Sequence, residues 1–170
     1  MNLIPIQVKL LNKEYKNNKD EQKSIVESER KRLEGKTIKA ENGEIYDDQS
    51  HKIISNLKLR NKEILRILDS ASIITSYNQE QVSAGATFRV QFLDDADEEE
   101  TFTLIEEKVS TEGSRDGFVT LNSEFGAAVH RKKENETFAY HLDDDYLVSG
   151  IITKIYSKEE QQDYFKTKTL

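Results

Sequence analysis

Cysteine is absent from this 170-residue sequence, and proline occurs once, at Pro5. Without cysteine there are no disulfides, no thiol nucleophiles and no cysteine-based zinc sites, which fits a reducing cytosol. With so little proline, long helices run uninterrupted. Long apolar runs are missing too: nothing approaches the roughly 20 residues needed to span a bilayer, so no membrane association is expected. The start, Met1-Asn2-Leu3-Ile4-Pro5, lacks the charged and apolar regions of a signal peptide and points to the cytoplasm. No Gly-x-Ser-x-Gly elbow and no phosphate-binding glycine loop is present, so a self-contained hydrolase or nucleotidase has no visible machinery. His51, His130 and His141 match no histidine metal pattern.

What is present divides into two halves of different character. Apolar content of 35% is low and charged content of 34% is high, as expected when part of the chain is an exposed rod with little core. Residues 1–40 carry ten basic and six acidic side chains, net +4, whereas 79–157 carry seven basic and seventeen acidic ones, net −10. A mildly basic arm joined to an acidic domain points to docking on a partner with complementary patches.

Hydrophobic period changes at the same place. Ile53, Leu57, Ile64, Leu68 and Ala71 recur at steps of about 3.5 residues, with Arg60 or Asn61 filling the polar gap, a stripe suited to packing on one partner helix. An earlier segment offers Leu11, Tyr15, Ile25 or Val26 and Leu33, but Asn18, Gln22 and Glu29 stand where apolar residues would help. Two helices of about 28 residues, each about 40 Å long, are expected, buried along one seam only. After residue 78 short strand patterns begin: 86–92, 100–106, 118–121, 137–142 and 147–156 are rich in Phe, Val, Ile, Thr and Tyr and are separated by polar turns. Residues 124–131 form one short helix in this reading, with Ser123 as N-cap and Phe125, Ala128 and Val129 on its buried face. The expected organisation is an N-terminal antiparallel helical hairpin (coiled coil) over 1–75, an α+β domain over 79–157 and a polar tail over 158–170.

The sharpest chemical feature is the turn Glu41-Asn42-Gly43-Glu44, followed by Asp47 and Asp48. Asn-Gly is a strong turn signal and brings its flanking residues within about 7 Å, so Glu41 and Glu44 converge. Paired carboxylates repel unless a cation sits between them, and oxygen-only donors suit Mg²⁺, which seldom binds so small a set alone. Such a pair is suited to completing a metal site supplied by another protein. Two plainer readings stand beside this one. Glu-Asn-Gly-Glu is also an ordinary surface loop in an acidic chain, and Asp47 and Asp48 also serve as N-cap and first turn of the second helix. Glu29-Arg30-Lys31-Arg32 with Lys36 and Lys39 forms either a basic face for RNA phosphates or a solvated helix face with a Glu27–Lys31 pair.

The stretches 100–105 and 119–129, with Ile4-Pro5 and the count from there to the two acids, resemble a Gre-family transcript cleavage factor over essentially the whole length to about residue 157. The order of residues around the acids differs from the family pattern, with Gly43 inside the motif and Ile45 where an Asn is usual; Glu124 replaces a usual Pro and Arg131 a frequent Gly. The resemblance implies an FK506-binding-protein-like C-terminal domain that docks on RNA polymerase at its secondary channel, with the hairpin inserted towards the active centre and the nascent RNA 3′ end. It implies that Glu41 and Glu44 act in catalysis, supporting a Mg²⁺ held mainly by the polymerase, with Asp47 and Asp48 as further candidate ligands. Asn122, Ser123 and Phe125 become candidate docking residues. The protein is then an accessory factor, a monomer by itself, that stimulates the polymerase's own cleavage of backtracked RNA. A regulator that occupies the channel without promoting cleavage is the first alternative, and a free-standing peptide-binding module the second.

Overall fold

Pro5 opens a 30-residue helix, α1 (Pro5–Glu34), about 45 Å long. Its start is held by a half capping box: the Ile4 carbonyl accepts from the Gln7 amide, while Gln7 Oε1 accepts from the Ile4 amide at 3.1 Å. Lys31 and Arg32 occupy its last turn, where positive charge meets the negative end of the helix dipole. A second helix, α2 (Asp48–Ser70), follows. The computed structural model describes residues 1–34, 48–93, 98–109, 117–143 and 146–168. Two units divide the chain, Leu11–Ser70 and a second made of Met1–Leu10 with Ala71–Leu170.

Within Leu11–Ser70, α1 and α2 are antiparallel. Asn18 reaches Asn61 and Glu29 reaches Ser50, so numbers rise on one helix as they fall on the other. The seam of α2 runs through Ile54, Leu57, Asn61, Ile64 and Leu68, steps of three and four that keep one face towards the partner. This corrects the expected stripe at its first position: Ile53 is 37% exposed and Ile54 only 7%. Two adjacent isoleucines leave the phase open in the sequence, and the buried Asn61, one heptad beyond Ile54, decides it. On α1 the corresponding positions are Leu11, Tyr15, Asn18, Gln22, Ile25 and Glu29, with Val26 left 40% exposed. The polar residues that interrupt the pattern therefore lie in the seam itself. Asn18 and Asn61 satisfy one another in part, Glu29 is buried against Ser50 and Arg32, and Gln22 Nε2 and Asn61 Nδ2 are buried without a hydrogen-bond partner.

In the other unit two short strands, β1 (Asn2–Leu3) and β2 (Ser72–Ile73), pair in parallel. A five-stranded mixed sheet follows, built from β3 (Thr87–Phe92), β4 (Glu99–Ile105), β5 (Phe118–Thr120), β6 (Thr137–Asp143) and β7 (Tyr146–Ile155) in the order β5-β4-β3-β7-β6. All pairs are antiparallel except β4 with β5. Alternation along β3 sends Phe88 and Val90 into the main core with Leu104, Phe138 and Ile152, over which a short helix, α3 (Glu124–Val129), packs. The side chains in between face the other way. Thr87 and Thr103 sit side by side at 2.9 Å and receive Gln161 from a C-terminal helix, α4 (Lys158–Lys168), whose Nε2 donates to Thr87 Oγ1 and to the Gly85 carbonyl. Phe165 of α4 stacks on Phe118, with Ile4, Ile6, Leu10 and Ile105 in the same cluster.

Residues 158–168, a polar tail for which the sequence leaves helix and disorder both open, thus form a helix with a buried face. Its start is a full capping box: Ser157 Oγ accepts from the Glu160 amide and Glu160 Oε2 accepts from the Ser157 amide. The fold class is as expected from the sequence, an antiparallel helical pair followed by an α+β unit.

Candidate functional site

Helix α1 ends at Glu34 and α2 begins at Asp48. Glu41, Glu44 and Asp47 fall outside the described residues, as do Lys36 and Lys39, and Asp48 is the first residue of α2. The last described cross-link before this end is a buried carboxylate. Glu29 accepts from Ser50 Oγ at 3.1 Å with one oxygen, and its other oxygen lies 2.7 Å from Arg32 Nη2. Glu29 is nine-tenths buried, so these partners stabilise a charge that would otherwise be costly to hold there. The basic run is accordingly divided: Arg32 serves Glu29, and Lys31 pairs with Glu27 at 3.1 Å, the ordinary i,i+4 contact. Among the described residues no three His, Asp or Glu side chains come together as a metal cluster.

Asn122, Ser123 and Phe125 do come together, at the entry to α3. Ser123 is the N-cap: its Oγ accepts from the Gly126 amide at 3.0 Å and donates to the Thr120 carbonyl at 2.7 Å. Its hydroxyl is thus engaged on both sides by its own turn. Asn122 is exposed at the tip of that turn. The turn is tight because Gly126 lies against the end of β5, where a Cβ would collide with the Thr120 carbonyl. Phe125 points into the sheet, its ring centroid 4.9 Å from Phe102, 5.3 Å from Tyr140 and 5.4 Å from Phe138. With Phe88 and Phe92 these form one aromatic cluster drawn from four elements, although no such cluster is evident in the sequence. Phe125 therefore fastens α3 to the sheet and leaves Asn122 and Glu124 outward. Burial, with the Glu100 carboxylate and Tyr146 adding to it, raises the Tyr140 phenol above its ordinary range.

Sequence reasoning missed a polar cluster on the opposite side of the sheet. Arg89 donates to Tyr156 Oη at 2.7 Å and pairs with Glu99 at 3.1 Å, while Lys154 pairs with Glu160 at 2.6 Å. Lys154 and the Ser157 backbone amide together hold the Glu160 carboxyl down to about 2. The signal that would have found this cluster is Ser157-Lys158-Glu159-Glu160, the capping-box pattern that starts α4.

The fold and site thus define an α+β domain joined in sequence to an antiparallel helical pair with acidic residues between its helices. No protein-family model and no curated protein matches the sequence. Among solved structures the chain is similar to GreA factor homolog 1 (Gfh1) of Thermus thermophilus, with 11% identity, 92% of this chain and 99% of that one covered, and a TM-score of 0.37. Gfh1 of Thermus aquaticus shows 12% identity over 92% and 98%, with a TM-score of 0.38. The transcription elongation factor GreA/GreB from Nitrosomonas europaea shows 14% identity over 60% and 80%, with a TM-score of 0.39.

Proposed function

We propose that this protein is a Gre-like accessory factor that binds bacterial RNA polymerase in the cytoplasm, extends its helical pair through the secondary channel and stimulates cleavage of backtracked RNA. The observation that supports this reading most directly is the antiparallel course of α1 and α2. The Glu29–Ser50 contact ties the helices near the end where α1 stops and α2 starts, and the segment whose sequence carries Glu41 and Glu44 connects those two helix ends in a helical pair about 35 Å long. A rod of that kind suits delivery of carboxylates to a distant centre better than it suits stability, because its seam is partly polar.

In this reading Glu41 and Glu44 supply oxygen donors and orient water at a Mg²⁺ held mainly by the polymerase, with Asp47 and Asp48 nearby. When bound, such an ion would supply Lewis-acid chemistry at the phosphate, with Glu41 and Glu44 as the residues that would help hold it. Asn122, exposed beside the Ser123 cap, is the contact most available for docking, and the protein supplies no complete active site of its own. The cluster of four acids within eight positions also favours a second reading, a channel-occupying regulator that binds the polymerase without promoting cleavage.

The test is a cleavage assay on stalled, backtracked RNA polymerase complexes. Wild-type protein is expected to accelerate release of the RNA 3′ fragment, and Glu41→Ala/Glu44→Ala to abolish the acceleration while leaving polymerase affinity nearly unchanged. Binding without stimulation at any Mg²⁺ concentration selects the regulator, and absence of binding removes both readings.

A further inference from the structure

The two edges of the helical seam are built differently. Along one edge Glu14 of α1, itself buried, is closed against Arg60 of α2 by a two-point contact at 2.7 and 3.3 Å. Along the other edge lies an open groove of about 670 Å³ between the helices. Val26 and Ile54 line it, with Lys19 from α1 and Lys58 from α2 on its two sides; Lys23 lines it as well but is paired with Asp20 at 3.9 Å.

Lys19 and Lys58 follow Asn18 and precede Asn61 in the paired segments, and no described carboxylate bridges them across the seam. The one acid of the groove, Glu27, is engaged by Lys31. Like charges on the two walls repel and hold the edge open, whereas an ion pair closes the opposite edge. The polar seam beneath adds to the effect, because Asn18 and Gln22 fill less of the interface than the apolar residues that a close-packed pair would use.

We propose that this groove is a docking site for an acidic amphipathic helix of a partner protein, which completes a local three-helix bundle. Apolar side chains of the incoming helix cover Val26, and its flanking carboxylates pair with Lys19 and Lys58. Charge complementarity selects an acidic partner. The apolar floor, with Val26 40% exposed, selects a helix over a nucleic acid, because among the described residues the only ring lining the groove is His51 and base stacking needs a broader aromatic platform. The inference is independent of polymerase binding and of the acids between the helices.

The experiment titrates the full chain into a fluorescein-labelled synthetic helix with leucines at heptad spacing and glutamates elsewhere, followed by anisotropy. A scrambled peptide of the same composition and a single-stranded RNA oligonucleotide serve as the other probes. The patterned peptide is expected to bind more tightly than the scrambled one, and Lys19→Glu/Lys58→Glu and Val26→Asp each to weaken it by roughly tenfold or more. Lys19→Glu alone introduces a carboxylate facing Lys58 and is expected to raise the melting temperature of the helical pair, which checks the geometry without any ligand. Equal binding of patterned and scrambled peptides, no binding of either, or RNA binding that alone is lost in the variants overturns the proposal.

Discussion

Asn18 of α1 donates its side-chain amide to the side-chain oxygen of Asn61 of α2 at 3.0 Å, inside the seam and not on its rim. Asn61 is 5% exposed, and its own amide nitrogen finds no partner. A buried polar pair of this kind lowers stability but fixes which residues face each other, since any slip would leave both amides unsatisfied.

Replacing both partners should therefore separate stability from specificity. Asn18→Leu/Asn61→Leu is expected to raise the thermal midpoint and to promote self-association through the newly apolar stripe. Asn61→Ala alone is expected to cost about 1–3 kcal/mol, because Asn18, half-buried, is left without its acceptor. Circular dichroism melts and light scattering measure the two effects. A double variant that melts lower than wild type would refute the pairing.

The phase of α2 is testable at adjacent positions. Ile54→Ala should cost about 2–4 kcal/mol, since Ile54 is 7% exposed, whereas Ile53→Ala at 37% exposed should cost less than about 1 kcal/mol. Ile64→Ala, with its side chain fully buried, should be at least as damaging as Ile54→Ala. Equal losses at Ile53 and Ile54 would mean that the seam is rotated from the position described.

Gly126 is the tightest point of the α3 turn. A methyl group there meets the Thr120 carbonyl, so Gly126→Ala must push α3 away from β5 and disturb the Phe125 cluster. The expected loss is about 1–3 kcal/mol, with changed near-ultraviolet dichroism from the aromatic rings. An unchanged melt and an unchanged aromatic spectrum would argue against so close an approach.

Acid should release α4 before it unfolds the sheet. The Glu160 carboxyl sits near 2 in the folded chain, below its ordinary value, because Lys154 and the Ser157 amide favour the charged form. Its contribution is present above the unfolded-state value of about 4 and is lost as pH falls through about 2. The Phe118–Phe165 stack, followed by aromatic proton shifts in nuclear magnetic resonance, should loosen in that window. Glu160→Gln should loosen it already at neutral pH, and a variant with an unshifted Phe165 would show that the helix is held by Gln161 and the apolar face alone.

Much of the fold could be read from the chain because the relevant signals are local. The change from a period near 3.5 to alternation after residue 78 marks where helices give way to strands. Ser123 was identifiable as a cap because a hydroxyl before a short apolar run satisfies the first amides of a helix. The capping box at Ser157 and Glu160 was equally legible but, set in a polar segment, lacked an apolar stripe to mark its buried face.

The sequence by itself determined the fold class and the helix and strand types, since propensity, period and turn chemistry act over a few neighbouring residues; the unit bounds it did not, because Met1–Leu10 joins Ala71–Leu170 only through packing. Only the tertiary structure decided that Ile54 and not Ile53 enters the seam, that five aromatic rings converge around Phe125, and that α4 is held through Gln161. Those outcomes depend on contacts between residues far apart in sequence. Their energies come from burial and hydrogen-bond satisfaction, neither of which exists until the elements have packed.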